Sequence, residues 1–196
     1  MRVRIAAATF LACILIAAAL LGAAHGAARS SRSVLDLGDS LGVGTAPYLS
    51  ARLRGYGIER IHDLGLHAYD APDIVAGRGP SLPAALVVSA GTNDDPRIVS
   101  TFWRAVWSVV RTAGPGRCVV WPTIVRPPAV GEAYDGLNRA LARVAVRNRN
   151  LVLVDWVGMV RRHPSWLSDD GVHVSVAGYR ARAAAIVAAV RTRCPA

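Results

Sequence analysis

The sequence predicts an α/β fold, a doubly wound parallel sheet of about five strands with helices on both faces. Three observations carry this. Residues 84–89 form a continuous apolar run between Pro83 and Gly91, without the alternation of a half-solvated strand, which suits a strand covered on both sides. Apolar residues then recur at helical spacing, at Ile98, Val99, Phe102, Ala105, Val106, Val109 and Val110. The same alternation runs the length of the 196-residue chain with no repeat, linker or low-complexity break, as expected of a single domain. Right-handed crossovers leave few ways to wind such units, and the flavodoxin-like order is the natural one, with ligands at the carboxyl ends of the strands.

Taken in order, the first strand covers residues 33–37 and runs into Gly38-Asp39-Ser40-Leu41. A helix pattern follows over 41–53, made irregular at its start by Gly42, Gly44 and Pro47. Residues 57–62 read as the second strand. Asp70 with Pro72 opens a short helix, as a cap candidate with proline in the first turn. After the strand at 84–89 come a helix at 98–112 and a fourth strand at 118–121, ended by Pro122. A loop rich in Pro and Gly leads to a helix at 133–147. Residues 151–156 read as the fifth strand, and an irregular stretch containing His163-Pro164 precedes a last helix at 175–191.

The N-terminus does not belong to this pattern. Met1-Arg2-Val3-Arg4 is a positive start, residues 5–24 are apolar, and small residues around Gly26 precede Ser30-Ser31-Arg32. This is the layout of a signal peptide over residues 1–26, leaving a domain over 27–196. The apolar run is also long enough to act as an uncleaved anchor. An exported chain meets an oxidising compartment, where Cys118 and Cys194 would pair and tie the last helix to the sheet. No spacing of Cys or His suggests a metal site, and no cofactor is expected. The net charge of +10 comes wholly from arginine and is spread along the chain, so a nucleic-acid stripe is not indicated. Association with anionic polymers or lipids of the cell envelope fits the charge better.

The polar residues that end the strands make chemical sense together. A serine at a strand-to-helix turn exposes its hydroxyl beside the first free N–H groups of the helix, where an oxyanion could be held. His173 can act as its base, and Asp170, three residues earlier on the same turn, can fix the imidazole. The backbone N–H groups of Ser40 and Gly65 and the side-chain amide of Asn93 are three candidate donors to the oxyanion.

Gly38-Asp39-Ser40-Leu41, the isolated Gly65 after the second strand, Gly91-Thr92-Asn93-Asp94 and Asp170-Gly171-Val172-His173 resemble the four sequence blocks of the SGNH (GDSL-type) hydrolases. The resemblance runs from about Ser33 to the C-terminus, in the family's block order. It implies the SGNH hydrolase fold, Ser40 as nucleophile, Asp170 and His173 as the acid–base pair, and an oxyanion hole made by Ser40, Gly65 and Asn93. It further implies an exported serine esterase acting on small-molecule or glycan esters with short acyl groups. An O-acyltransferase working on cell-envelope glycans through the same acyl-enzyme is the alternative, and a non-catalytic envelope-binding module is a third reading. Asp155-Trp156 and the run 166–173 also resemble secreted bacterial members, some related to cell-wall O-acetyltransferases.

Other residues read more plainly. Asp39 is expected to cap the helix and support the Ser40 turn rather than react. Asp169 is the rival of Asp170, which the family's spacing favours. His62 reads as a strand-end surface residue, His67 as a pocket candidate, and His163 as loop structure. Trp103 and Trp107, four apart, read as one packing face of a helix. Arg126 reads as a solvated loop residue, with an acidic or carbohydrate substrate as its other reading.

Overall fold

The computed structural model describes residues 32–194. The expected signal peptide over residues 1–26 lies outside the described residues. The strands are β1 (Ser33–Gly38), β2 (Gly57–His62), β3 (Ala85–Ser89), β4 (Cys118–Pro122) and β5 (Leu151–Val154). The helices are α1 (Ser40–Arg52), α2 (Ala71–Ala76), α3 (Val99–Ala113), α4 (Asp135–Arg147), α5 (Trp156–Arg162) and α6 (Val176–Arg193). All strand pairs are parallel, in the order β2-β1-β3-β4-β5. The chain leaves β1 toward one edge and returns to β3 on the other side, which places the switch point of the sheet between the carboxyl ends of β1 and β3. This is the expected fold.

The central strands are largely apolar because each face has its own core, whereas the edge strand β2 carries Glu59, Arg60 and His62. Leu35, Leu37, Leu86, Val88, Val119 and Trp121 pack against α2, α3 and α4. The alternate residues Val34, Val87 and Val120 pack on the other side, with Leu49 and Leu53 of α1 and Ile186 and Val187 of α6. Each such side chain contributes about 1.5–3 kcal/mol when fully buried, so two faces of this kind hold the strand ends in fixed register.

Two local features differ from the sequence expectation. The first helix runs unbroken from Ser40 through Gly42, Gly44 and Pro47. Tertiary contact overrides the poor propensity there. A Cβ at Gly44 would stand 2.2 Å from Cζ of Tyr179, so the glycine is what lets α1 and α6 pack closely. The fifth strand stops at Val154 rather than running to residue 156. Asp155 instead caps α5, accepting the Gly158 N–H at 2.9 Å. A seven-residue helix containing a glycine carries too little periodicity to read from sequence.

Cys118 at the start of β4 and Cys194 after α6 form a disulfide, with Cα atoms 5.1 Å apart. It closes a loop between residues 76 apart in sequence. Among the described residues, no helix is long and apolar enough to cross a membrane. Loop-closure entropy for this span predicts that reduction of the disulfide lowers the unfolding free energy by about 4 kcal/mol. Denaturant unfolding with and without reductant measures it.

Candidate active site

The turn after β1 is built around one buried carboxylate. Asp39 is fully buried, and its Oδ1 accepts the N–H groups of Leu41 at 3.0 Å and Gly42 at 3.4 Å. Its own N–H donates to the Ser89 carbonyl at 2.9 Å, fastening the turn to β3. This sets Ser40 as the first residue of α1, at the carboxyl end of the sheet, among the amides that have no acceptor within the helix.

A buried carboxylate needs a counter-charge. Burial pushes the Asp39 carboxyl above its ordinary range, and Arg182 of α6 is the main influence pulling it back. Arg182 is itself buried. Its guanidinium donates to Ser89 Oγ and lies 5.5 Å from the centre of the Trp156 ring. Burial lowers its pKa to about 10, against the opposing influence of Asp39, Tyr179 and Asp36. It stays cationic at neutral pH. His62 Nε2 lies 3.2 Å from Asp36 Oδ2, so His62 faces a buried carboxylate rather than only solvent.

The structure brings Ser40, His173 and Asp170 together. His173 Nε2 stands 2.9 Å from Ser40 Oγ, and His173 Nδ1 stands 2.6 Å from Asp170 Oδ2. The carboxylate only accepts, so Nδ1 carries the proton of the neutral ring and Nε2 accepts from the serine hydroxyl. Asp170 Oδ1 accepts the N–H groups of Val172 and His173, both at 2.9 Å, so one oxygen shapes the turn while the other orients the ring. The bond to the His173 ring, followed by the Val172 N–H, lowers the Asp170 pKa to about 2. Asp169 makes none of these contacts.

Asn93 and Gly65 lie beside this run, with their donors already engaged. Asn93 Nδ2 donates to the carbonyls of Leu64 at 3.0 Å and Leu66 at 3.1 Å, which holds the loop after β2 against the loop after β3. The Gly65 N–H donates to Asp63 Oδ1 at 2.9 Å. Asp94, buried and raised by that burial, accepts the Ala68 N–H at 2.8 Å and completes the clamp between the two loops. Gly91 opens the second loop at φ 113°, where a Cβ would come within 2.6 Å of Ile124 and 2.7 Å of Phe102. Only glycine fits that bend.

An open cleft of about 380 Å³ is lined by Ser40, Asn93, Arg126, Pro127, Asp170 and His173. A second hollow of about 370 Å³ adjoins it, sharing Asn93 and Arg126 and adding His67, Tyr69, Ile98 and Tyr134. Sequence reasoning undervalued Arg126. Its guanidinium donates to the Thr92 carbonyl and lies over the Tyr134 ring, at the junction of the two hollows. Nothing in the sequence around Arg126 shows that its loop folds back over β3. His67 lines the second hollow, stacked on Tyr69 with ring centroids 4.6 Å apart. His163 stacks on Trp166, and the Trp103 and Trp107 rings stack on one face of α3, away from the cleft. Among the described residues, no cluster of His, Cys, Asp or Glu could hold a metal ion.

Fold and geometry define a class: parallel α/β proteins with a hydroxyl, an imidazole and a carboxylate hydrogen-bonded in series at the carboxyl edge of the sheet. Residues 27–181 match the model of the GDSL-like lipase/acylhydrolase family, and the chain belongs to that family. Among solved structures, the fold is similar to the C-terminal catalytic domain of a Streptococcus pneumoniae peptidoglycan O-acetyltransferase carrying a methylsulfonyl adduct. That match has a TM-score of 0.69 and 22% identity, covering 84% of this chain and 96% of that one. A GDSL-like lipase from Bacteroides thetaiotaomicron matches with a TM-score of 0.64 and 21% identity, over 88% of this chain and 95% of that one. A family 3 carbohydrate esterase from Clostridium thermocellum matches at 0.57 and 13%, over 79% and 92%. Comparison with curated protein sequences finds no match.

Removing the buried cation tests the support beneath Ser40. Arg182→Met removes the cation whose field opposes the burial of Asp39, together with its hydrogen bond to Ser89 Oγ, and should lower stability by about 1–3 kcal/mol. Arg182→Lys, which keeps a cation, should lose less. Thermal unfolding of the two variants measures the difference.

Proposed function

We propose that the protein is an exported serine esterase that hydrolyses carboxylic esters through an acyl-enzyme on Ser40. The observation that carries this reading is the continuous hydrogen-bonded run from Asp170 through His173 to Ser40, opening on the cleft. In the reaction, His173 Nε2 takes the hydroxyl proton as Ser40 Oγ attacks the ester carbonyl. Asp170, ionised down to about pH 2, stabilises the imidazolium. The imidazolium then protonates the departing alcohol, leaving Ser40 acylated. A water activated by the same histidine releases the acid and regenerates the hydroxyl.

The oxyanion would be held by the Ser40 N–H, with the Asn93 amide and the Gly65 N–H turning to it from their internal acceptors. The acyl group would lie in the first cleft beside Ser40, and the rest of the substrate in the adjoining hollow. Export is supported by the leader-like sequence of residues 1–26 and by the disulfide, a feature of oxidising compartments. A second reading, transfer of the acyl group to a sugar hydroxyl, draws on the width of the joined hollows, which leaves room for an acceptor beside the acyl-enzyme.

A fluorophosphonate probe should add one adduct to the wild-type protein and none to Ser40→Ala, read by intact mass. An unlabelled but folded wild type would overturn the esterase reading. Asn93→Ala should lower kcat on acetyl esters by about 10²–10³ while the protein remains folded. Asp170→Asn should lower it by about 10⁴, the cost of the wrong imidazole tautomer in a comparable triad. Steady-state kinetics with and without a glycan acceptor then separates hydrolysis from transfer.

A further inference from the structure

The catalytic cleft occupies the carboxyl end of the sheet, and the opposite end has a chemistry of its own. A hollow of about 570 Å³ opens there between the starts of β4 and β5. Five arginines line it: Arg111, Arg117, Arg147, Arg149 and Arg193. A second hollow, of about 340 Å³, lies at the starts of β1 and β3 and adds Arg32, Arg54 and Arg191. Cys118 lines the first hollow and its disulfide partner Cys194 the second, so the two adjoin along one edge of the sheet. No Asp or Glu lines either one.

The topology explains the sorting of charge. Helix C-termini gather at the starts of parallel strands, and α1, α3, α4 and α6 all carry arginine in the last turn. Acidic residues instead follow the strands or open helices, as do Asp63, Asp94 and Asp155 after strands, Asp170 before α6, and Asp73 and Asp135 in first turns. Compensating the helix dipoles does not account for the whole. Each helix end amounts to about half a negative charge, so four ends offset roughly two of the eight arginines. A strong positive surplus remains on one face.

Two of these arginines lie over half-exposed aromatic rings. Arg111 is 5.6 Å from the Trp107 centroid and Arg32 is 5.8 Å from that of Tyr56. Aromatic rings beside arginines suit the boundary of a bilayer, where the ring meets the headgroups and the cation meets phosphate. Arg32, the first described residue, lies on this same face immediately before β1.

We infer that the arginine-lined end of the sheet is a docking face for an anionic phospholipid bilayer, with the catalytic cleft turned away from the lipid. This goes beyond the proposed esterase activity and does not depend on it. The phosphodiester headgroup is the recognised group, and docking is electrostatic, so it weakens as salt rises.

The test is co-sedimentation of the full chain with phosphatidylcholine vesicles, with and without phosphatidylglycerol. The neutral vesicles report whatever the apolar N-terminal run contributes. The anionic lipid should raise binding at least about tenfold at low salt. Arg111→Gln/Arg147→Gln/Arg149→Gln should lose most of that gain. Arg97→Gln/Arg104→Gln/Arg139→Gln, which removes the same charge from the other end of α3 and α4, should keep it. Circular dichroism checks that both variants are folded. Equal binding to neutral and anionic vesicles would overturn the proposal. So would equal losses in the two triple variants, which would mean that net charge acts without a face. Binding to soluble polyphosphate with no gain on anionic vesicles would assign the face to a soluble polyanion and overturn the bilayer.

Discussion

The burial of Asp39 beneath the Ser40 turn is the constraint on which the rest of the site depends. A carboxylate at the start of a helix is ordinary, but this one is wholly buried, and the field of the buried Arg182 on another element, with the N–H groups of Leu41 and Gly42, opposes the cost of burying it. The cation comes from α6, next to the turn that carries His173. The first and last helices of the domain are therefore joined at the point where the serine and the histidine must meet. Two residues 133 apart in sequence come within hydrogen-bond distance because their supports are joined by the buried Arg182–Ser89 hydrogen bond and the close contact at Gly44.

The loops that complete the site are held differently. Leu66 and Ala68 anchor the loop after β2 in the core, and polar contacts between neighbours clamp the rest. Asn93 holds the carbonyls on either side of Gly65, Asp94 holds the Ala68 amide, and Tyr134 Oη donates to the Asp94 carbonyl at 2.9 Å. The sheet thus carries the proposed nucleophile on a turn set by burial, and beside it the proposed donors on a hydrogen-bonded clamp.

Much of this was legible in the sequence, for physical reasons. Strands buried on both faces are continuous apolar runs, and these gave the sheet and its order. Ser40, Asn93, Asp170 and His173 follow strand ends or precede a helix, where a polar residue has no packing role to hide behind. Arg182 was not legible, because an arginine among alanines on a helix looks solvent-facing until the partner helix is in place. Arg126 was hidden for a similar reason, since a loop rich in proline does not announce where it folds back. Helix α5 was missed because its apolar residues continue the run of the strand before it.

The internal acceptor of the Gly65 amide has a consequence for discrimination. At rest that N–H is satisfied by the Asp63 carboxylate, a charged oxygen and a strong acceptor. An ester carbonyl in its ground state is neutral and competes poorly against a carboxylate. Once the serine has added, the same oxygen bears a full charge and competes on equal terms. In the proposed reaction the donor would therefore change allegiance only as the tetrahedral species forms. A bond made late in this way stabilises the transition state without tightening the grip on substrate. On the proposed mechanism, the resting contact would act as a threshold that an uncharged ligand does not cross.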